Sequence, residues 1–258
     1  MPARPTGDPG RAAARTAVVW DAVFETVEVL ATAHPVRSLR VIDLGGGTGG
    51  LAVRIAELGH QVLVVEPSPD ALASLRRRAV ESGVEDHVVG VQGDASELRT
   101  HVGDELADMV LCHGVLEIVD DPSQALAATA AVVRGGGFLS VVVSGRLSTV
   151  IGRALAGDTA RARAMLDISL QDWDLRVDGP RRFSREEIIE LVTPHGFAID
   201  RVDAVRVFTD LVPSALVDAE PGARQGLLDL ERAVAGRPEF SALAGQHHLV
   251  ARRTPPHP

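Results

Sequence analysis

The chain has 258 residues, is 45% hydrophobic and 24% charged, and carries a formal net charge of −9. This length suits one large α/β domain with a sizeable core, and the acidic balance disfavours tight sequence-independent binding of a phosphate backbone. Lysine and tyrosine are absent, all 26 cationic residues are arginine, and aromatics make up 3%, which argues against a base-stacking surface.

A single cysteine, Cys112, permits no internal disulfide and no Cys-based metal site, and no metal is expected. It lies in the apolar run of residues 109–112 and reads as a small buried hydrophobe. No apolar stretch approaches the roughly 20 residues of a membrane span, and the N-terminus lacks a charged-then-apolar signal pattern. A cytoplasmic protein with no membrane partner is expected.

Residues 1–10 hold three prolines and two glycines and read as a disordered leader. From Arg11 an amphipathic helix is expected over 11–34, with Val19, Val23, Val27 and Leu30 on one side and Pro35 ending it. Residues 39–50 form an apolar run that breaks into glycine. Val41, Ile42 and Leu44 suit a strand buried on both faces, and Gly45, Gly46, Gly47, Gly49 and Gly50 suit a backbone that turns sharply against a ligand. Leu51, Ile55 and Leu58 then recur at helical spacing up to Gly59. Strand, turn and helix in that order aim backbone amides at an anion or carboxylate.

The spacing of Gly45, Gly47 and Gly50, with Glu66 about 20 residues on, formally fits a dinucleotide fingerprint. Asp43, an acid placed before the first glycine, tilts the choice. The Asp-x-Gly-x-Gly-x-Gly run through Gly49 resembles motif I of the class I S-adenosylmethionine-dependent methyltransferases. In that family the acid meets the cofactor's amino group and the glycines admit its methionine part.

Residues 61–66 read as a second strand ending in Glu66, placed to accept both ribose hydroxyls; Pro67, Ser68 and Pro69 open a helix that stops at Gly83. Residues 88–91 form the third strand, followed by Asp94 and Ala95. Asp94 suits an N-cap as well as a ligand contact, since a cap uses one carboxylate oxygen. The fourth strand, 108–112, delivers His113 and the residues up to Glu117 to the ligand crevice. A helix from Pro122 closes at 134–137, and 138–143 is the fifth strand. Five β-α units predict a Rossmann-like, doubly wound, mostly parallel sheet, here of seven strands with one antiparallel.

Past Ser144 the alternation breaks. Residues 145–180 read as a lid insertion with Leu147, Ile151, Leu155, Met165 and Ile168 on its apolar side and an acidic stretch over 171–178. Ser184 to Glu187 read as a capping box, 197–207 as a sixth strand, 213–244 as a helical insertion, 247–252 as the closing antiparallel strand, and 255–258 as a loose tail.

Taken together, the stretches 15–20, 58–62, 113–117 with Asp121 and Pro122, 136–140 and 205–210 resemble the bacterial tRNA 5-carboxymethoxyuridine methyltransferases. The resemblance covers about Arg11 to Arg252. It implies one methyltransferase domain over 11–254 with its cofactor-binding core at 39–143, and tRNA as a partner. It also implies S-adenosylmethionine contacts at Arg15, Gly45, Gly46, Glu66, Asp94 or Ala95, and His113. Asp43, Gly47, Gly49 and Pro67 join them from motif I and the strand end. Arg15 suits a grip on the methionine carboxylate. A carboxylate acceptor arrives ionised and needs a cation rather than a base. Arg206 is the candidate, with an ion pair to Asp203 or Asp210 as the structural alternative. A small acid or hydroxylated metabolite as acceptor, and a non-catalytic cofactor-binding module, are the rival readings; a dehydrogenase is a more distant one.

Overall fold

The computed structural model describes residues 9–219 and 222–255, with side chains described for these except 9–15, 214, 218 and 219. Strands β1 (Arg40–Leu44), β2 (Gln61–Val65), β3 (Val88–Val91), β4 (Ala107–His113) and β5 (Val133–Ser144) run parallel. The closing strand β7 (Gln246–Arg253) lies antiparallel between β5 and β6 (Phe197–Val205), giving one sheet in the order β3-β2-β1-β4-β5-β7-β6. This is the predicted doubly wound sheet. Because β7 alone is reversed among the described strands, β6 again points the same way as β5, and six strands deliver their carboxyl ends to one edge.

Each face of the sheet has its own core. On one, Val19, Val23, Val27 and Leu30 of α1 (Pro9–Ala33) are buried as the periodicity predicts, together with α2 (Gly50–Ala56) and α3 (Pro69–Glu81). On the other, Leu98 and Val102 of α4 (Leu98–Val102) pack with Leu126 of α5 (Pro122–Val132) and Ile188 of α8 (Arg185–Val192). Cys112 is fully buried, and burial pushes its thiol up. Ser184 and Glu187 exchange the reciprocal hydrogen bonds of a capping box at the start of α8.

The region after β5 leaves the sheet as α6 (Arg146–Leu155) and α7 (Thr159–Asp167) and returns where Phe183 bridges Gly145. Arg146 secures this excursion: it donates to the Ile168 carbonyl and to Glu187 at 2.6 Å, and stacks 5.6 Å over the Trp173 ring. After β6 come α9 (Ser214–Ala219), α10 (Ala223–Ala235) and α11 (Pro238–Ser241). α10 packs on α1 and β6, with Arg232 paired to Asp21 at 2.8 Å.

Several expectations need correction. α1 begins at Pro9 rather than Arg11; the remainder of the expected leader, 1–8, and tail residues 256–258 lie outside the described residues. α2 ends at Ala56, leaving Leu58 57% exposed, because Gly59 turns the chain at φ 86° before another helical turn forms. β5 starts at Val133, so residues 134–137 lie within the strand instead of closing a helix. β6 stops at Val205, since Arg206 takes φ 59° and leaves the ladder. Leu147, Ile151 and Leu155 recur on one side of α6 but face outward, at 43%, 38% and 77% exposure. Their periodicity marks an amphipathic helix correctly, yet α6 lies off the sheet and packs on α7.

Fully buried Asp108, at the start of β4, ties together the entrances of three strands. It accepts from Arg37 at 2.8 and 2.5 Å, from the Arg40 amide at 2.8 Å, and pairs with Arg134 at 3.1 Å. Burial opposes its charge, but Arg37, the Arg40 amide and Arg134 hold the carboxyl below its usual range. A depressed carboxyl stabilises the fold fully above its unfolded value of about 4, and that contribution is lost as the pH falls through the folded value. Asp108→Asn is predicted to cost about 2–3 kcal/mol at neutral pH, with a smaller difference from wild type in acid, measurable by urea denaturation at several pH values.

Candidate active site

The carboxyl ends of β1, β2 and β4 converge on one loop cluster. After β1 the Gly45 amide donates to the Val65 carbonyl at 2.8 Å, which starts the turn on the neighbouring strand. At Gly46 a Cβ would lie 2.5 Å from Asp43 Oδ2 and 2.9 Å from Val64, so only glycine lets the loop close over the acid. Gly49 caps α2 at φ 73°, where a Cβ would meet Leu75 at 2.0 Å. Gly47 stands over open space, and its amide donates to Glu66 Oε2 at 2.9 Å.

Glu66 is buried at the end of β2, and its other oxygen accepts from the Ser68 amide at 3.0 Å. The acid therefore couples the glycine loop to the entrance of α3. Each carboxylate oxygen retains accepting capacity for a ligand hydroxyl. Beyond β3, Asp94 Oδ1 accepts from the Ser96 amide at 2.7 Å and the Ser96 hydroxyl at 2.6 Å, which hold the carboxyl below its usual range. As expected of a cap, only one oxygen is used.

A cavity of about 490 Å³ opens between these loops, within the size range of small-molecule sites. Among the predicted residues, Gly45, Glu66, Pro67, Asp94, Ala95 and His113 line it. Asp43 lies beneath Gly46, with Gly47 and Gly49 completing the turn. The Arg15 side chain lies outside the described residues. Arg206 is not on the cavity wall; it stands past the end of β6, on the same edge of the sheet, paired with Asp210 at 2.6 Å.

Sequence reasoning brings 113–117 to the crevice but misses how far the opposite wall extends beyond Glu117. Gly114, Val115, Ile118 and Val119, followed by Gln124 and Ala125, line it, and Arg181 braces it by donating to the carbonyls of Val119 and Asp120. The available signal was the apolar triplet Val115, Ile118 and Val119 immediately after a strand end. Such residues form a wall for a flat ring.

The electrostatics suit a cation. Burial, with the charge of Glu66 adding to it, pushes the Asp43 carboxyl up to about 7. A positive group in the cavity would relieve that repulsion, and S-adenosylmethionine brings both a sulfonium and an ammonium. A glycine cradle, two acids at strand ends and an apolar wall fit this nucleoside cofactor.

A family model described as a methyltransferase domain matches residues 42–141, from β1 into β5. An uncharacterized methyltransferase of Mycobacterium tuberculosis is 31% identical over 185 residues, covering 68% of this chain and 72% of the relative. The chain belongs to the class I S-adenosylmethionine-dependent methyltransferases. This methyltransferase is also similar to the tRNA 5-carboxymethoxyuridine methyltransferase of Escherichia coli K12, 28% identical over 239 residues, 93% of this chain and 88% of the relative. Among solved structures, the magnesium protoporphyrin IX methyltransferase of Synechocystis with bound S-adenosylhomocysteine shares the fold at TM-score 0.61 and 14% identity, over 98% of this chain and 90% of that one.

Because Asp43 is raised to about 7, a cation bound beside it expels its proton, and cofactor affinity should rise roughly tenfold from about pH 6 to about pH 8 before levelling. Calorimetry in two buffers of different ionisation enthalpy would detect proton release below neutrality in wild type and its disappearance in Asp43→Asn.

Proposed function

We propose that this methyltransferase methylates the carboxylate oxygen of 5-carboxymethoxyuridine at the wobble position of tRNA. One observation carries the reading: the likeness to the Escherichia coli tRNA enzyme covers 93% of the chain. A match that long includes the excursion at 146–182 and the β6–β7 region, the parts beyond the family model's limit at 141. By contrast, the ubiquinone biosynthesis O-methyltransferase of a Caulobacter strain matches 64% of the chain. A tRNA substrate places the activity in the cytoplasm.

In this reading Glu66 accepts the ribose hydroxyls and the unused oxygen of Asp94 meets the adenine amino group. The loop of Gly45, Gly46, Gly47 and Gly49 above Asp43 admits the methionine part, with Pro67, Ala95 and His113 completing the wall and Arg15 taking the methionine carboxylate. S-adenosylmethionine supplies an electrophilic methyl on a sulfonium. An ionised acceptor needs alignment rather than deprotonation. His113, pushed down to about 3 by burial and by His248, is suited to the neutral form and not to general-base work.

Arg206 is the cation we assign to the acceptor carboxylate. It carries the one positive φ among the described non-glycine residues, a conformation that costs energy and is held from outside. Buried Glu231 holds it, accepting from the amides of Val207, Phe208 and Thr209 at 3.0, 2.9 and 2.7 Å. The pair to Asp210 supplies the same chemical group that an acceptor carboxylate would bring.

A second reading, a small carboxylic acid as acceptor, is favoured by the charge of the excursion, where Asp167, Asp172, Asp174 and Asp178 outnumber Arg176 within 167–178. The two separate in one assay with labelled cofactor. The tRNA reading predicts alkali-labile label on tRNA bearing carboxymethoxyuridine, none on tRNA lacking it, and binding that weakens with salt. Label appearing only on small acids would overturn it. Arg206→Ala should leave S-adenosylhomocysteine affinity unchanged and lower kcat/KM about 10- to 100-fold, as expected for a lost hydrogen bond between charged groups.

A further inference from the structure

A row of polar side chains crosses the sheet beneath α1, where packing alone would call for aliphatics. Register places His113 of β4 beside Val142 of β5, Val142 beside His248 of β7, and His248 beside Asp203 of β6; Ser140, two residues before Val142, points to the same face. The side chains touch in sequence. His113 Nε2 lies 2.7 Å from Ser140 Oγ, Ser140 Oγ lies 2.8 Å from His248 Nε2, and His248 Nδ1 lies 3.7 Å from Asp203 Oδ2. Arg201 grips Asp203 at 2.8 and 3.1 Å and reaches Glu25 of α1 at 2.8 Å. Ser140 and His248 are fully buried, and Asp203 is 2% exposed.

The protons in this row can be ordered by elimination. Ser140 has one O–H to donate, and a ring nitrogen stands on either side of it. If it donated to His113, His248 would carry its proton on Nε2 and turn a bare Nδ1 lone pair toward a buried carboxylate. Arg201, paired to that carboxylate at 2.8 and 3.1 Å, keeps it charged, so it repels the lone pair, and burial pushes His248 below its usual range so that its ring carries one proton rather than two. The reverse order has no such conflict. His248 keeps its proton on Nδ1 toward Asp203, Ser140 donates to His248 Nε2, and Ser140 Oγ accepts from His113 Nε2–H. His113 is then left with a bare Nδ1, and this residue lines the cavity.

We propose that Asp203, His248 and Ser140 are positioning residues that lock His113 in the tautomer protonated on Nε2, so that Nδ1 accepts a hydrogen bond from the cofactor's α-ammonium group. This rests on the assignment of the cavity as the cofactor site. The buried row then does more than fill space, since the charge of Asp203 selects, through His248 and Ser140, which face of His113 a ligand meets. Fixing the proton on Nε2 favours a donor group such as an ammonium at Nδ1 and disfavours an acceptor there.

The test is long-range proton–nitrogen correlation spectroscopy on the full chain, without ligand, labelled with nitrogen-15 histidine and assigned with His113→Leu. The expected His113 ring is neutral, with a proton on Nε2 and none on Nδ1; a proton on Nδ1, alone or in an imidazolium, overturns the relay. Ser140→Ala should mix the two tautomers, and an unchanged spectrum for His113 in a folded variant also overturns it. The wild-type spectrum decides even if that variant fails to fold. The ligand contact is read separately by calorimetry. His113→Leu should weaken S-adenosylhomocysteine about tenfold or more, and leave 5′-methylthioadenosine, which has no amino acid part, bound as in wild type. Equal losses for both ligands overturn the ammonium contact. Failure of wild type to bind either ligand would remove the cofactor site itself, a result distinct from a wrong tautomer.

Discussion

The cavity depends on one carboxylate. Glu66 ends β2, and its two oxygens hold the Gly47 amide of the first loop and the Ser68 amide of the next helix. The loop that must admit a ligand is thus fastened to the acid that would meet the ligand's hydroxyls. Asp43 lies underneath, and its burial, with the nearby charge of Glu66 adding to it, keeps the site receptive to positive charge. Such a site is built at some expense to the free protein, since a carboxyl raised by burial and by a like charge detracts from folding at neutral pH.

The same device recurs at three other buried acids. Asp108 gathers two arginines and a backbone amide at the amino edge of the sheet, Glu231 gathers three amides behind Arg206, and Asp203 gathers Arg201 beside His248. With no lysine in the chain, the cationic partners are planar forks that can meet a carboxylate at two points, as Arg37 does at Asp108. The acids at the two ends of the sheet differ in consequence. Asp108 supports the fold alone, whereas Glu231 and Asp203 stand behind residues that face the carboxyl edge.

Much of this was legible in the sequence because local rules and global fold agree. The run into Gly45 required a buried strand and a turn, and Asp43, Glu66, Asp94 and His113 fall at successive strand ends that parallel topology must bring to one edge. The failures have physical causes. α6 carries a helical apolar period at Leu147, Ile151 and Leu155, but a period says only that a face exists, not what covers it. Arg206 was expected within the sixth strand, and an arginine, unlike glycine or asparagine, gives no signal of a positive φ. The polar row of Ser140, His248 and Asp203 was invisible because its members come from three strands distant in sequence, joined only by register. Beyond Glu117, the rest of that wall, Ile118 and Val119, looked like ordinary loop between a strand and a helix.

The cofactor half and the acceptor half of the site lie on different strand ends. The first is the cavity at the ends of β1, β2 and β4; the second is the region past β6, where Arg206 takes a positive φ. Both depend on S-adenosylmethionine binding in the cavity bounded by Glu66, Asp94 and His113. Hydrogen–deuterium exchange with and without S-adenosylhomocysteine tests it most directly. Slowed exchange at the amides of 45–49, 66–68, 94–96 and 113–119 is the predicted result, and unchanged exchange there with protection confined to the 146–182 excursion would contradict it.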